Sequence, residues 1–187
     1  MRPGRNRRVE SQYTRHGTTC LMAAMDLSNG KMHHYRLHPT RTEEDYLEFI
    51  KQSCATVSSE NQIGFLADQL NTHKSESLVR WVAQQIDYKG ELGTKEYKGI
   101  LKSQASRQAF LENPEHRIFF VYTPKHCSWL NPIENWFGKL QRHRIKNGNF
   151  ISVTDLESKI ESYIQFYNKI LAKPYKWKFK GFIKAEK

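Results

Sequence analysis

Apolar and polar positions along the chain follow two periods, and each change of period marks an element. Thr18–Leu27, TTCLMAAMDL, is a mostly apolar run of strand length and predicts a buried strand. Ser28-Asn29-Gly30 predicts a tight hairpin turn, and Lys31–Leu37, with Met32, Tyr35 and Leu37 apolar, predicts the returning strand. Thr42 followed by Glu43, Glu44 and Asp45 opens a helix, with a capping hydroxyl and acids where the helix dipole favours them. Tyr46, Leu47, Phe49 and Ile50 supply its apolar face. Ile63–Ala67 reads as a short buried strand ending at Asp68, and the following QLNTH reads as loop. From about Ser75, Leu78, Val79, Val82 and Ile86 recur at helical spacing. Residues 88–117 break the pattern. They are polar, carry Gly90, Gly93 and Gly99, and hold a basic set of Lys89, Lys95, Lys98, Lys102 and Arg107, with a short helix expected over Gln104–Leu111. Ile118–Tyr122, IFFVY, is a clear strand. Asn131 and Pro132 then form a helix start, with Ile133, Trp136, Phe137 and Leu140 as its stripe and an end near Lys146. Ser152–Ile170 is the last amphipathic helix; Thr154 can cap it, and Leu156, Ile160, Tyr163, Ile164 and Tyr167 recur on one face. This order of elements predicts an α/β domain with a mixed sheet flanked by helices.

Charge changes the picture next. The 187 residues suffice for one domain with a real core, and the formal net charge is +11. Such an excess favours a polyanionic partner, nucleic acid first; a solvated basic surface or a membrane-facing patch is the plainer reading. No apolar run has transmembrane length, and Met1–Glu10 is basic without the apolar region of a secretory signal. The three cysteines, Cys20, Cys54 and Cys127, form neither a disulfide framework nor a zinc spacing, so a reducing, intracellular setting is expected. Residues 1–17 read as a basic arm, with four arginines in Met1–Arg8, and 171–187 as a basic aromatic tail, KPYKWKFKGFIK. The exposed side of the helix after Asn131 carries Lys139, Arg142, His143, Arg144 and Lys146.

Two carboxylates stand out. Glu134 lies off the apolar stripe, three residues after the Asn131 cap. There it can close a capping box by reaching back to the Asn131 N–H, or it can serve as a hard oxygen ligand on a rigid element. Asp68 ends a strand, where sites gather in open α/β sheets, although such a residue is usually a turn or cap. Two such acids converging could share divalent metal for phosphoryl transfer, and Mg²⁺ accepts few carboxylates, waters and phosphate oxygens. Trp129 and Trp136 have a plain alternative in core packing, which fits Trp136 better.

Four segments then carry a family resemblance: DQLNTHKSESLVRWVAQ, GILKS, HRIFFVYTPKHCSWLNPIENWFGKL and FYNKILAKPYKWKFKG. In this order they resemble DDE transposases of bacterial insertion sequences, closest to the mariner-related insertion sequence 630 family. The likeness covers nearly the whole chain, from RPGRNRRVESQYTRHGTT onward. It implies an RNase H-like fold and a metal-dependent enzyme, using Mg²⁺ or Mn²⁺, that cuts DNA at transposon ends and joins the strand to target DNA. It implies a bacterial, cytoplasmic and nucleoid-associated protein. Asp68 matches the family's second catalytic and metal-binding acid and Glu134 the third. Asn71, His73, Lys125, His126, Ser128, Trp129 and Asn131 match flanking positions. Lys125 and His126 are candidate phosphate contacts, with Lys139, Arg142, Arg144 and Lys146 as further DNA-binding residues. Asp68 and Glu134 lie further apart than in many mariner relatives, which marks 88–117 as an insertion.

The resemblance also implies a first catalytic Asp on a central strand ahead of the RPGRNRRVESQYTRHG segment. On that expectation the chain is the C-terminal catalytic part of a transposase. It lacks the central strand and an N-terminal helix-turn-helix, and its activity alone is in doubt. Asp26 is expected to be an ordinary residue of the hairpin approach. A second copy or the N-terminal part of the transposase is the expected protein partner, and a non-catalytic DNA-binding remnant is the competing reading.

Overall fold

The computed structural model of the chain describes Thr14 and residues 16–175. Most of the basic arm expected over 1–17 and most of the tail expected over 171–187 lie outside the described residues. The first two strands, β1 (Cys20–Met25) and β2 (Met32–His38), form an antiparallel hairpin with Cys20 opposite His38. Asp26 ties its turn: the carboxylate accepts from the Ser28 N–H at 2.8 Å, the Ser28 hydroxyl at 2.7 Å and the Asn29 amide at 2.6 Å. Gly30 closes the turn at φ +75°, a region open to glycine, and a β-carbon there would run into the Lys173 backbone. The C-terminal segment therefore passes directly over the turn, where the Tyr175 N–H donates to the Leu27 carbonyl at 3.0 Å.

Helix α1 (Glu43–Ala55) begins with the expected Thr42 cap, completed by Asp45 as a capping box. The strand β3 (Ile63–Ala67) pairs in parallel with β4 (Ile118–Tyr122), Ile63 opposite Ile118 and Ala67 opposite Tyr122. Between them stand α2 (Glu76–Gln85), capped by Ser75, and α3 (Gln104–Leu111), capped by Ser103. The QLNTH segment is more ordered than a loop: Asn71–Lys74 forms a 3-10 turn. Helix α4 (Pro132–Leu140) continues as a π-helical turn through Gln141–Ile145. The last helix, α5 (Val153–Phe166), is capped by Ser152, not Thr154, and also ends in a π-helical turn, Tyr167–Leu171.

The class is α/β, as expected, but the described strands do not form one mixed sheet. They form two separate pairs, β1–β2 and β3–β4. Each pair is buried against its own core. Helices α1, α2 and α3 pack on β3 and β4 around Leu78, Val82, Leu111, Ile118 and Phe120. Helices α4 and α5 pack on the hairpin around Trp136, Ile160, Tyr163, Ile164 and Tyr167. Met22 and Ala24 of β1 reach the first core, while Leu21, Ala23 and Met25 reach the second.

The polar stretch 88–117 is anchored from within. Leu101 is fully buried, and Arg107, one of the basic set of this stretch, is buried too. Its Nε donates to the Lys74 carbonyl at 2.7 Å and its Nη1 to the Leu101 carbonyl at 2.9 Å. The guanidinium thus joins this stretch to the turn that follows Asp68.

Candidate active site

A cavity of about 900 Å³ separates the two strand pairs. Five consecutive residues of β1, Leu21–Met25, and all five of β3 line it. Helix α1 contributes Tyr46, Phe49 and Ile50 to its wall, and α4 contributes Ile133, Glu134 and Phe137. Asp68 and Glu134, well separated in sequence, both lie on this wall.

Asp68 leaves the C-terminal end of β3 half-buried. Its Oδ1 accepts from the Leu70 N–H at 3.1 Å and lies 2.8 Å from His73 Nδ1. The His73 ring nitrogen is thus in direct polar contact with the carboxylate. His73 stacks on Tyr46 of α1 with ring centroids 4.2 Å apart, which fixes the imidazole beside the carboxylate. The His73 contact holds the Asp68 carboxyl below its usual value, partial burial opposes this, and the Leu70 N–H and nearby Lys74 charge add to the lowering.

Glu134 does not close a capping box. The Asn131 side chain accepts from the Ile133 N–H at 3.3 Å, while the Asn131 N–H is taken by the Ser128 carbonyl at 2.8 Å. The 3-10 turn Ser128–Leu130 before the helix already satisfies the donor that a capping glutamate would serve. The Glu134 N–H donates to the Asn131 carbonyl at 3.0 Å, while its carboxylate has no hydrogen bond or ion pair among the described residues. Its carboxyl is pushed above its usual value, first by lost solvation at the concave wall and then by the Asp68 charge. The side chain is exposed by area, so this desolvation is partial. The two acids are thus shifted in opposite directions, Asp68 down and Glu134 up.

Lys125 and His126 sit exposed in the turn after β4, with His126 at φ +61°. The turn is docked on the other strand by the Thr123 N–H, which donates to the Ala67 carbonyl at 2.9 Å. Lys125 is close enough to depress the Lys74 ammonium, though burial of Lys74 is the larger cause. Lys74 was not singled out by the sequence reading: it is buried, with Nζ 2.7 Å from Gln69 Oε1 and 5.5 Å from the Tyr122 ring centroid. Trp136 is fully buried, whereas Trp129 is 69% exposed and is not a core residue.

The other basic residues lie elsewhere. Arg142 and Arg144 share a second cavity of about 470 Å³ with His143, Phe150 and Lys159. Lys139 lies half-buried over the Tyr167 ring, and Arg144 over that of Tyr163. Lys146 is exposed and lines neither cavity.

Hard oxygen donors, one held ionised and one free of partners, suit a small divalent cation that keeps waters and takes substrate phosphates. Among the described residues no group of three His, Cys, Asp or Glu side chains could hold a metal ion. Asp26 is on the cavity wall as well, but its carboxylate is committed to the hairpin turn. Among the described residues no helix is long and apolar enough to cross a membrane.

A protein-family model described as DDE superfamily endonuclease matches residues 1–157. No curated protein and no solved structure matches the chain.

Proposed function

Because the chain belongs to the DDE superfamily of endonucleases, we propose that it is a transposase catalytic domain cleaving and transferring DNA strands at insertion-sequence ends. Asp68 and Glu134 are the acids we assign to it. One observation carries this reading: two carboxylates far apart in sequence share a cavity wall at the C-terminal end of β3, and the charge of one raises the other.

In this reading Asp68 and Glu134 would hold Mg²⁺ or Mn²⁺, which would supply Lewis-acid stabilisation of phosphoryl transfer. The chain's own groups do the rest. His73, braced by Tyr46, keeps the Asp68 carboxylate ionised and oriented. Lys125 and His126 contact phosphates from the turn beside the site, and the Lys139, Arg142, Arg144 and Lys146 helix holds the duplex further out. The finer placement follows the motifs: an RNase H-like arrangement in the insertion sequence 630 branch, with 18–170 as the catalytic domain and 88–117 as an insertion. DNA is the partner, which places its work at the bacterial nucleoid.

A second reading rests on the absence of a three-residue metal-binding group among the described residues. In it the protein binds DNA through its basic surfaces without chemistry. Metal dependence separates the two, since counterion release needs no Mg²⁺. In a plasmid-nicking assay carrying insertion-sequence ends, Asp68→Asn and Glu134→Gln abolish Mg²⁺-dependent nicking and spare DNA retention on a gel. Nicking that survives both changes overturns the assignment of the acids, and DNA binding without any metal-dependent nicking by the unmodified protein favours the second reading.

A further inference from the structure

We propose that Trp129 is a stacking platform for an unpaired DNA base, so that the duplex is held open beside the site. The proposal rests on the DNA reading above and not on the assignment of Asp68 and Glu134. Trp129 is 69% exposed, whereas Trp136 of the same motif is fully buried. The indole is in water, yet the turn that carries it is braced from end to end. At its start the Thr123 N–H donates to the Ala67 carbonyl at 2.9 Å, and the Gln69 side-chain amide donates to the Thr123 carbonyl at 2.8 Å. Within it the Cys127 N–H donates to the Pro124 carbonyl at 3.1 Å, the Leu130 N–H to the Cys127 carbonyl at 3.0 Å and the Asn131 N–H to the Ser128 carbonyl at 2.8 Å. At its end Asn131 caps the helix that carries Glu134. The turn thus links the strand pair that ends at Asp68 to that helix, and it presents Trp129 outside the cavity the acids line.

The residues around the indole state the chemistry of its ligand. A large flat ring in water loses its apolar hydration only when something flat covers it. Residues 123–131 hold Lys125 and His126, both exposed, and no carboxylate. An aromatic face beside a cation matches a flat ring joined to a phosphate, which is a nucleotide. In an intact duplex the base faces cover one another, so only an unpaired or displaced base offers its face to an indole. A protein partner is the poorer match. An aromatic anchor of a protein interface sits within neighbours that exclude water, and the exposed residues nearest Trp129 in this turn, Lys125, His126 and Ser128, are polar. Every base has a π face, so stacking here tolerates any sequence. Trp129 therefore holds a strand apart and does not read it.

The test is fluorescence anisotropy on the full chain in EDTA, with a fluorescein-labelled duplex that ends in an unpaired arm of thymidines. A second probe replaces the arm's thymidines with abasic sugars, which keeps the phosphates and removes the bases, and a third is the duplex without an arm. The expected result is that the unmodified protein binds the thymidine arm at least about tenfold more tightly than the abasic arm. Trp129→Ala loses that difference and binds the plain duplex within about twofold of the unmodified protein, while Trp129→Phe retains most of the difference. A 2-aminopurine placed in the arm is quenched by the unmodified protein and not by Trp129→Ala. Thermal unfolding of Trp129→Ala matches that of the unmodified protein, as expected for an exposed side chain. The Asp68→Asn, Glu134→Gln double variant binds as the unmodified protein does, so a failed catalytic assignment leaves this outcome intact. Equal affinity for the thymidine and abasic arms, or an equal loss on every probe when Trp129 is replaced, overturns the proposal and leaves DNA binding in place. No binding to any probe overturns it together with the DNA reading. Self-association that Trp129→Ala abolishes, with no preference for the thymidine arm, overturns it too and assigns the indole to a second copy.

Discussion

Arg107→Met tests how the 88–117 stretch supports the site. The Arg107 side chain is 7% exposed and donates to two carbonyls, Lys74 at 2.7 Å and Leu101 at 2.9 Å. Methionine keeps most of the side-chain length and all of the apolar stem. It leaves both carbonyls buried without those donors, at a cost of about 1–3 kcal/mol each. The guanidinium no longer has to be desolvated, which offsets part of that loss. The net expectation is a loss of about 2–4 kcal/mol. For a domain of this size that lowers the melting temperature by roughly 5–12 °C. Urea unfolding followed by circular dichroism measures it, provided the m-value is unchanged. Arg107→Lys recovers at most one of the two bonds, because an ammonium lacks the fork. The Lys74 carbonyl closes the turn carrying His73, so exchange at Asn71–Lys74 accelerates with the loss of stability. A loss below about 1 kcal/mol refutes the reasoning and makes Arg107 a tolerated buried charge with no structural part.

Other outcomes follow from the same residues. Glu134→Gln raises the metal-free melting temperature slightly at neutral pH: a carboxyl raised in the fold is charged there at a cost to the fold, and the gain vanishes as pH falls below its folded pKa. Mg²⁺ stabilises the unmodified protein against heat and has little effect on this variant, by differential scanning fluorimetry. Asp45 is held at about 2, chiefly by the Thr40 hydroxyl and then the Thr42 N–H, so its contribution is complete above the ordinary carboxylate range and is lost as pH falls toward 2; an acid titration of Asp45→Asn lacks that step. Ser152→Ala destabilises by about 1 kcal/mol in chemical unfolding, whereas Thr154→Ala stays within about 0.5 kcal/mol.

Elements with strong local signals were legible in the sequence. The Thr42 cap, the 104–111 helix and the IFFVY strand stand where the pattern places them, because propensity, capping and periodicity agree there. The misses came where a distant group decides. Glu134 has capping-box spacing, yet the Ser128 carbonyl takes the donor it would have served, and a sequence shows no such competitor. Arg107 looks like surface charge until two carbonyls from separate turns converge on it. Trp129 and Trp136 differ by seven positions in one motif and by nearly the full range of exposure, since only Trp136 falls on the helical stripe facing Tyr163 and Tyr167. Of the candidate site, the types and order of the acids were readable. Their shared wall and the His73 brace depend on how β3, α1 and α4 meet, which local pattern does not encode.

The strand β1 alone among the four gives apolar side chains to both cores, Met22 and Ala24 to one and Leu21, Ala23 and Met25 to the other. Cooperativity between the two halves of the molecule therefore runs largely through the hairpin, with β1 feeding both cores and β2 meeting α1 where His34 stacks on Phe49 and His33 Nε2 lies 3.0 Å from the Ser53 carbonyl. Such a hinge sets the unit of unfolding. With β1 loosely held, each core melts on its own terms, as a separate foldon with its own exchange rate and its own heat-absorption peak. Tightening β1 fuses the two transitions into one, so the number of calorimetric peaks reports whether the halves act as one body.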